Sequence, residues 1–159
     1  MAIDVGQKAP DFTLPDSNNT PQKFSDLAKD KNVVLAFFPG AFTGVCTKEA
    51  CSLRDSSSKL NSMNAQVIGI SVDSPIAQKA WTAANNLNFP LLSDYSRKVI
   101  NQFGVALPNF AKLEGYTVAQ RAVFVIDKTG TVRYKHVTSG PGVEPNYDEI
   151  NQAVAKLPK

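Results

Sequence analysis

Cysteine and histidine are scarce: the 159 residues hold two cysteines and one histidine. Two cysteines exclude a disulfide framework. With a single histidine they complete no four-ligand zinc site without carboxylate help, so no structural metal is expected. A surplus of one charge is lacking as well. Seventeen Lys and Arg against fourteen Asp and Glu leave a net charge of +3, and no basic run or interleaved basic and aromatic stripe supplies the footprint of a nucleic-acid binder. No apolar run approaches the roughly 20 residues of a membrane span. The opening Met1–Lys8 has no apolar stretch behind a basic cap of the kind that directs secretion. What is present is 43% hydrophobic and 19% charged residues, the balance of a chain that buries a core rather than of a disordered tail or coiled coil. The length fits one domain over residues 1–159, large enough to bury roughly two-thirds of its unfolded surface. A cytoplasmic protein without nucleic-acid or membrane partners is the expectation.

The chain begins extended. Asp11-Phe12-Thr13-Leu14 alternates polar and apolar, Asp16–Asn19 is turn chemistry, and Gln22-Lys23-Phe24 pairs back as an N-terminal hairpin extension. Asn32–Phe38 is a continuous apolar run closed by Pro39-Gly40. It is too short for a buried helix and rich in β-branched and aromatic residues, which predicts a central strand covered on both faces. A helix follows over about Thr43–Leu60, then a second buried strand over Gln66–Val72. Asp73-Ser74-Pro75 opens a second helix that reaches about Asn86, and strand, helix, strand implies a parallel pair with a right-handed crossover. A short helix around Ser96–Phe103 precedes Gly104–Gln120, a connection of little periodicity and of a length more often functional than idle. Ala122–Ile126 and Thr131–Val137 form a hairpin around Asp127-Lys128-Thr129-Gly130, and a last helix runs from about Tyr147 to Leu157. The core order is βαβαββα: an α/β fold whose mixed central sheet is flanked by helices.

Cys46 falls in the first turn of the helix after the first central strand. Thr43 stands where an N-cap hydroxyl accepts from the third backbone N–H, that of Cys46 itself. Free N–H groups and the positive helix end favour a thiolate, and cysteines so placed ionise at roughly 3.5–7.5 rather than about 8.5. Ionisation alone explains little: a thiol with a pKa of about 8.5 is roughly 3% thiolate at neutral pH, so complete ionisation yields only about thirtyfold. Fast chemistry also needs groups that stabilise a leaving charge. A small buried hydrophobe reads the position equally well. Cys51 lies five residues on in the same helix. Helical rise and radius then separate the two Cα atoms by roughly 8.5 Å, beyond the roughly 7 Å limit for a disulfide. Either the first turn unwinds for the two to bridge, or Cys51 is merely packed or exposed. Trp81, in a helix with Ile76 and Ala77, reads as core. His136 on the hairpin reads as structurally neutral. Phe38 and Phe42, flanking the loop before Cys46, either dry a pocket or pack in the core.

Pro39-Gly40-Ala41-Phe42-Thr43-Gly44-Val45-Cys46 reads Pro-x-x-x-Thr-x-x-Cys directly after a buried strand, and it resembles the active-site signature of the peroxiredoxins. The resemblance extends through Ala9-Pro10-Asp11-Phe12, Gly69-Ile70-Ser71-Val72-Asp73, Leu92-Ser93-Asp94, and Arg121 before Phe124-Val125-Ile126-Asp127. The four-residue gap between Cys46 and Cys51 is similar to the Q-type subgroup, also called bacterioferritin comigratory proteins. Two features depart from that subgroup. Gly44 stands where many Q-type members have proline, and Pro39–Thr43 resembles another subgroup whose resolving cysteine lies far downstream, where this chain has none.

The resemblance implies a thioredoxin-like fold that carries Cys46 as the peroxidatic cysteine. It makes Thr43 the hydroxyl that holds the peroxide, Pro39 the ring shielding the pocket, and Arg121 the cation that supports thiolate and departing oxygen. Glu49 becomes the first-turn acidic residue that orients polar partners, and Cys51 the resolving cysteine. A growing negative charge on the far peroxide oxygen would meet the N–H groups of Gly44, Val45 and Cys46, the donor type such a transition state needs. The implied activity is a cofactor-free thiol peroxidase acting on hydrogen peroxide and organic hydroperoxides, regenerated by a thioredoxin-like or other dithiol reductant. It would be a monomer or a homodimer, the latter joined through the segment bearing Leu107, Phe110, Leu113 and Tyr116. Two alternatives stand beside it: a one-cysteine peroxidase in which Cys51 never bridges, and a non-enzymatic redox sensor or holdase switched by oxidation of Cys46. Turnover with a regenerating donor separates them.

Overall fold

The apolar runs of the sequence become the strands of one twisted sheet, with the chain entering from a small outlying hairpin. A computed structural model describes residues 2–159; Met1, at the start of the expected domain, lies outside them. The hairpin pairs β1 (Thr13–Pro15) antiparallel with β2 (Pro21–Lys23). Phe24 does not continue that pairing: it opens a four-residue helix, α1 (Phe24–Leu27), and buries its ring on Phe12 with centroids 5.0 Å apart. There follow β3 (Asn32–Phe37), α2 (Gly44–Ser62), β4 (Ala65–Ser71), α3 (Pro75–Asn85), β5 (Leu91–Ser93) and α4 (Lys98–Gln102). A ribbon of β6 (Ala106–Leu107) and β7 (Val118–Ala119) leads to β8 (Ala122–Ile126), β9 (Val132–Val137) and the closing helix α5 (Tyr147–Ala155).

The sheet order is β5-β4-β3-β8-β9. β3 and β5 each run parallel to β4, whereas β8 is antiparallel to both β3 and β9. Because β3 is central, its alternating side chains meet two different cores, which is why its sequence shows a run and not an alternation. Leu35 and Phe37 point into one, with Ile68, Phe103, Phe124 and the hairpin's Phe12. Val34 and Ala36 point into the other, with Cys46, Ala50 and Leu53 of α2, Trp81 of α3, and Ile150 and Val154 of α5. Trp81 is fully buried with its ring 5.1 Å from Phe38, while Ile76 of the same helix is 82% exposed.

The structure departs from the sequence-based expectation at three further places. Leu91–Ser93 is a fifth sheet strand, paired parallel with Gly69–Ser71. Three residues are too few to show a period. The short helix begins at Lys98 because Arg97 takes a left-handed φ of 64°. Buried Asp94 accepts from the Val99 and Ile100 N–H groups at 3.2 and 2.8 Å, which satisfies the helix start. The segment after Gly104 is partly ordered by the β6–β7 pairing of Ala106 with Ala119 and Leu107 with Val118. No described helix is long and apolar enough to cross a membrane.

Gly69, at the centre of β4, lets the edge of the sheet close. A Cβ there would sit 2.7 Å from Leu91 Cδ2 and 3.1 Å from Phe38 Cε1, both on buried side chains. Gly69→Ala is expected to destabilise by about 1–3 kcal/mol through overpacking. Gly140→Ala, where a Cβ meets nothing within 4 Å, stays within about 0.5 kcal/mol of wild type. Urea unfolding of the two variants checks the contrast.

Candidate active site

β3 delivers the chain to Phe38 and Pro39, and α2 begins at Gly44, so four residues must make the turn between them. The turn is made at Phe42, whose φ of 64° lies in the left-handed region that a bulky residue rarely adopts. Its ring is 59% exposed. Of the two flanking aromatics, Phe38 therefore packs in the core and Phe42 does not. Thr43 occupies the N-cap position, but its hydroxyl does not accept from Cys46 N–H as the spacing predicts. It donates instead to Gly40 O at 2.9 Å, which turns its lone pairs outward from that bond. Thr47 is the first residue whose N–H bonds back along the helix, to Thr43 O. The N–H groups of Gly44, Val45 and Cys46 are thus left without an intrahelical acceptor. Cys46 itself is 1% exposed.

β8 lies beside β3 with Ala122 opposite Phe37, so the preceding residue, Arg121, arrives at the same sheet edge as the loop. Its guanidinium is buried beneath the first turns of α2. Nη2 donates to Cys46 Sγ at 3.1 Å and Nη1 to Glu49 Oε1 at 2.8 Å. Nε and Nη2 both donate to Pro141 O, at 3.1 and 2.7 Å. Cys46 and Glu49 are three apart on the helix and so share one face. Glu49 lies in the second turn of α2, and the first turn holds no acidic residue, a correction to its expected place. Burial alone would lower the Arg121 pKa, but the Cys46 sulfur and the Glu49 carboxylate outweigh it and raise that pKa further. Burial pushes the Glu49 carboxyl up to about 7, against the opposing pull of Arg121.

Pro39, Thr43, Gly44, Val45 and Arg121 line one cavity of about 310 Å³, completed by Phe110, Pro141 and Gly142. Those last three were not foreseen. Pro141 acts through a backbone carbonyl, which no side-chain type announces, and Ser139-Gly140-Pro141-Gly142 reads only as a turn. Phe110 sits between Asn109 and Ala111, both with positive φ, inside the weakly periodic connection. Cys51 is away from the cavity: half-buried, its Sγ is 3.9 Å from Asn85 Oδ1 of α3. Both cysteines are free. The arrangement offers a sulfur beside a fixed cation, a hydroxyl whose oxygen is open as an acceptor, and unpaired N–H groups at a helix start. That set can bind a small hydroxylated substrate and stabilise negative charge next to the sulfur.

Residues 5–135 match the AhpC/TSA family. The chain belongs to that family. A Coxiella burnetii protein named for peroxiredoxin bcp is 42% identical over 132 residues, which are 83% of this chain and 87% of that one. The chloroplastic peroxiredoxin Q of Populus jackii is 39% identical over 82% of this chain and 59% of its own greater length. The crystal structure of peroxidoxin BcpB from Mycobacterium tuberculosis superposes with a TM-score of 0.85 at 33% identity, covering 96% of this chain and 97% of that one. By family and fold the chain is a peroxiredoxin, a thiol peroxidase built on a thioredoxin-like α/β core.

Two expectations follow for the buried cluster of this peroxiredoxin. Arg121→Lys keeps a charge but loses the planar fork of donors, and it slows the reaction of the reduced enzyme with peroxide. Arg121→Met slows it further, by an amount on the order of 3 kcal/mol in the barrier. Removing Arg121 strands Glu49, so the Arg121→Met/Glu49→Gln pair is measured beside it by stopped flow; peroxide rates equal to wild type in both single variants would overturn the role. The second expectation is a pH dependence. The folded Glu49 pKa, about 7, lies above the ordinary 4.5, so between those values the folded protein binds more protons than the unfolded one. Its contribution to stability is complete below about 4.5 and lost as the pH rises through about 7. Urea unfolding from mildly acidic to mildly basic pH should therefore show a fall in wild type that Glu49→Gln lacks. A difference between the two that is flat or of opposite slope refutes it.

Proposed function

We propose that Cys46 reduces hydrogen peroxide and small organic hydroperoxides, and that Cys51 of the same chain resolves the product. The observation that carries this reading is the 3.1 Å contact of buried Arg121 Nη2 with Cys46 Sγ, made by a residue that also lines the Thr43 cavity. The Cys46 thiolate attacks one peroxide oxygen. The S–O bond forms as the O–O bond breaks, leaving a sulfenic acid on Cys46 and an alkoxide or hydroxide that takes a proton to leave as alcohol or water. Thr43 Oγ accepts from the peroxide hydroxyl, since its own hydrogen is engaged by Gly40 O. Arg121 and the free N–H groups of Gly44, Val45 and Cys46 hold the charge that grows on the departing oxygen. Pro39 and Val45 wall the cavity, and Glu49 fixes the guanidinium through Nη1, beside the nitrogen that meets the thiol.

Resolution follows when the Cys51 thiolate attacks the Cys46 sulfenic sulfur, forming the disulfide and releasing hydroxide. Both cysteines lie in the unbroken helix Gly44–Ser62, where five residues of rise hold their Cα atoms roughly 8.5 Å apart. The bond needs the Cα atoms within about 7 Å, so the first turns of α2 open for it to form. Ser52, Asp55 and Ser56 are mediocre helix formers that ease this step. Opening frees Cys51 from Asn85 and gives a thioredoxin-like dithiol access to the disulfide, which it reduces to two thiols while becoming oxidised itself. Residues 1–159 are read as one domain, and a reducing compartment, the cytoplasm, suits two free cysteines.

Peroxide consumption by wild type, Cys46→Ser and Cys51→Ser tests the reading, with thioredoxin and then a monothiol as donor. Cys46→Ser should be inactive with both. Cys51→Ser should complete one turnover and then stall with thioredoxin. On oxidation of wild type, hydrogen exchange should speed across residues 46–54, and mass mapping should find a Cys46–Cys51 bond within one chain. An unchanged helix with no such bond transfers the enzyme to the one-cysteine class. A single slow oxidation without turnover makes Cys46 a sensor.

A further inference from the structure

The Gly40–Thr43 turn has no strand partner, yet it holds Phe42 at φ 64°, a conformation that costs on the order of 1–3 kcal/mol and persists only where neighbours enforce it. Its anchor is Asp73, just beyond β4. Ala41 N–H donates to Asp73 Oδ2 at 2.7 Å, and Ser71 Oγ donates to the same oxygen at 2.7 Å. Ser71 is held in turn by Gln78 Nε2 at 3.0 Å, which also donates to Leu92 O at 3.0 Å. Ser93 Oγ donates to the Asp73 carbonyl at 2.6 Å. Ser71, Gln78 and Ser93 are completely buried, so the Asp73 carboxylate is fastened to β4, β5 and α3 before it reaches the loop.

The peptide that Asp73 grips is the one that aims Thr43. Ala41 N–H and Gly40 C=O belong to a single planar unit and point in opposite directions. Fixing the N–H on Asp73 therefore fixes the carbonyl that receives the Thr43 hydroxyl. We infer that Asp73 is a positioning residue for the peroxide reaction: by locking the Gly40–Ala41 peptide plane it holds the Thr43 hydroxyl as an acceptor toward substrate. The inference rests on the reading that Thr43 receives the peroxide. Without Asp73 the plane is free to turn, the Gly40 carbonyl leaves the hydroxyl, and Thr43 becomes a rotor. No hydrogen bond joins Asp73 to Cys46 or Arg121, so the thiol itself should be unaffected.

The test compares two reactions of Cys46 in the reduced protein, one with hydrogen peroxide by stopped flow and one with iodoacetamide. Asp73→Ala should slow the peroxide reaction by about 100-fold, the scale of a misplaced positioning group, and leave alkylation within about threefold. Asp73→Asn, which retains an oxygen for Ala41 N–H, should recover to within about tenfold of wild type. The proposal is overturned if Asp73→Ala reacts with peroxide at the wild-type rate, if both reactions fall together, or if Asp73→Asn is no better than Asp73→Ala. In wild type the Ala41 amide should exchange slowly with deuterium, and rapid exchange overturns the proposal even where Asp73→Ala does not fold. A wild type that consumes no peroxide refutes the peroxidase reading and leaves this amide protection standing.

Discussion

A buried arginine, 2% exposed, is tolerated only where its charge is countered and each of its nitrogens finds an acceptor. Arg121 meets that demand with three acceptors drawn from far apart in the chain: Cys46 and Glu49 on α2, and the Pro141 carbonyl between β9 and α5. The constraint reaches well beyond the site. It requires β8 to end beside β3, α2 to present two positions three apart to the same point, and the Gly140–Gly142 turn to fold back over both. The sulfur is therefore one ligand of a buried cation, and its surroundings are set by the architecture of the whole sheet.

In the resolution step proposed above, the helix that is rigid for attack has to yield, and α3 with the loop after it holds the closed state. Trp81 Nε1 donates to Thr47 Oγ1 at 3.2 Å, Arg54 Nη1 to Asn85 O at 2.6 Å, and Asn88 Nδ2 to Ser57 Oγ at 2.7 Å. These contacts step along α2 from its first turn to its fourth. Opening of the proposed kind would break those near Cys46 and Cys51, while Ser57 and Leu60 are buried further along.

Most of the architecture was legible because the buried strands are long and apolar. Val33–Phe37, Val67–Ile70 and Ala122–Ile126 announce themselves by composition, and Ser74-Pro75 marks the start of α3 by its cap chemistry. What escaped was short or made by backbone. Leu91–Ser93 has too few residues for a pattern, and it becomes a strand only because β4 offers it an edge. In the site, Cys46 was readable from its place at a helix start, while the roles of Pro39 and Thr43 came from the resemblance of the Pro-x-x-x-Thr-x-x-Cys signature. Arg121, a lone charge before a strand, is singled out by the resemblance and by nothing in its local sequence. The Thr43 hydroxyl went to Gly40 O and not to the helix because the left-handed turn at Phe42 brings that carbonyl within reach. Pro141 came from a segment whose local sequence says only that the chain turns, and Phe110 from a connection whose length hints at function without naming a residue.

Trp81 is the only tryptophan in the chain. Its indole is sealed against Phe38 and hydrogen-bonded to the first turn of the very helix that carries Cys46. The enzyme therefore contains its own optical probe. The ring sits in a dry aromatic contact, and in the proposed opening the departure of Thr47 would withdraw its polar partner and admit water from that side. Emission from this one residue would then report the state of the reactive turn in unlabelled protein.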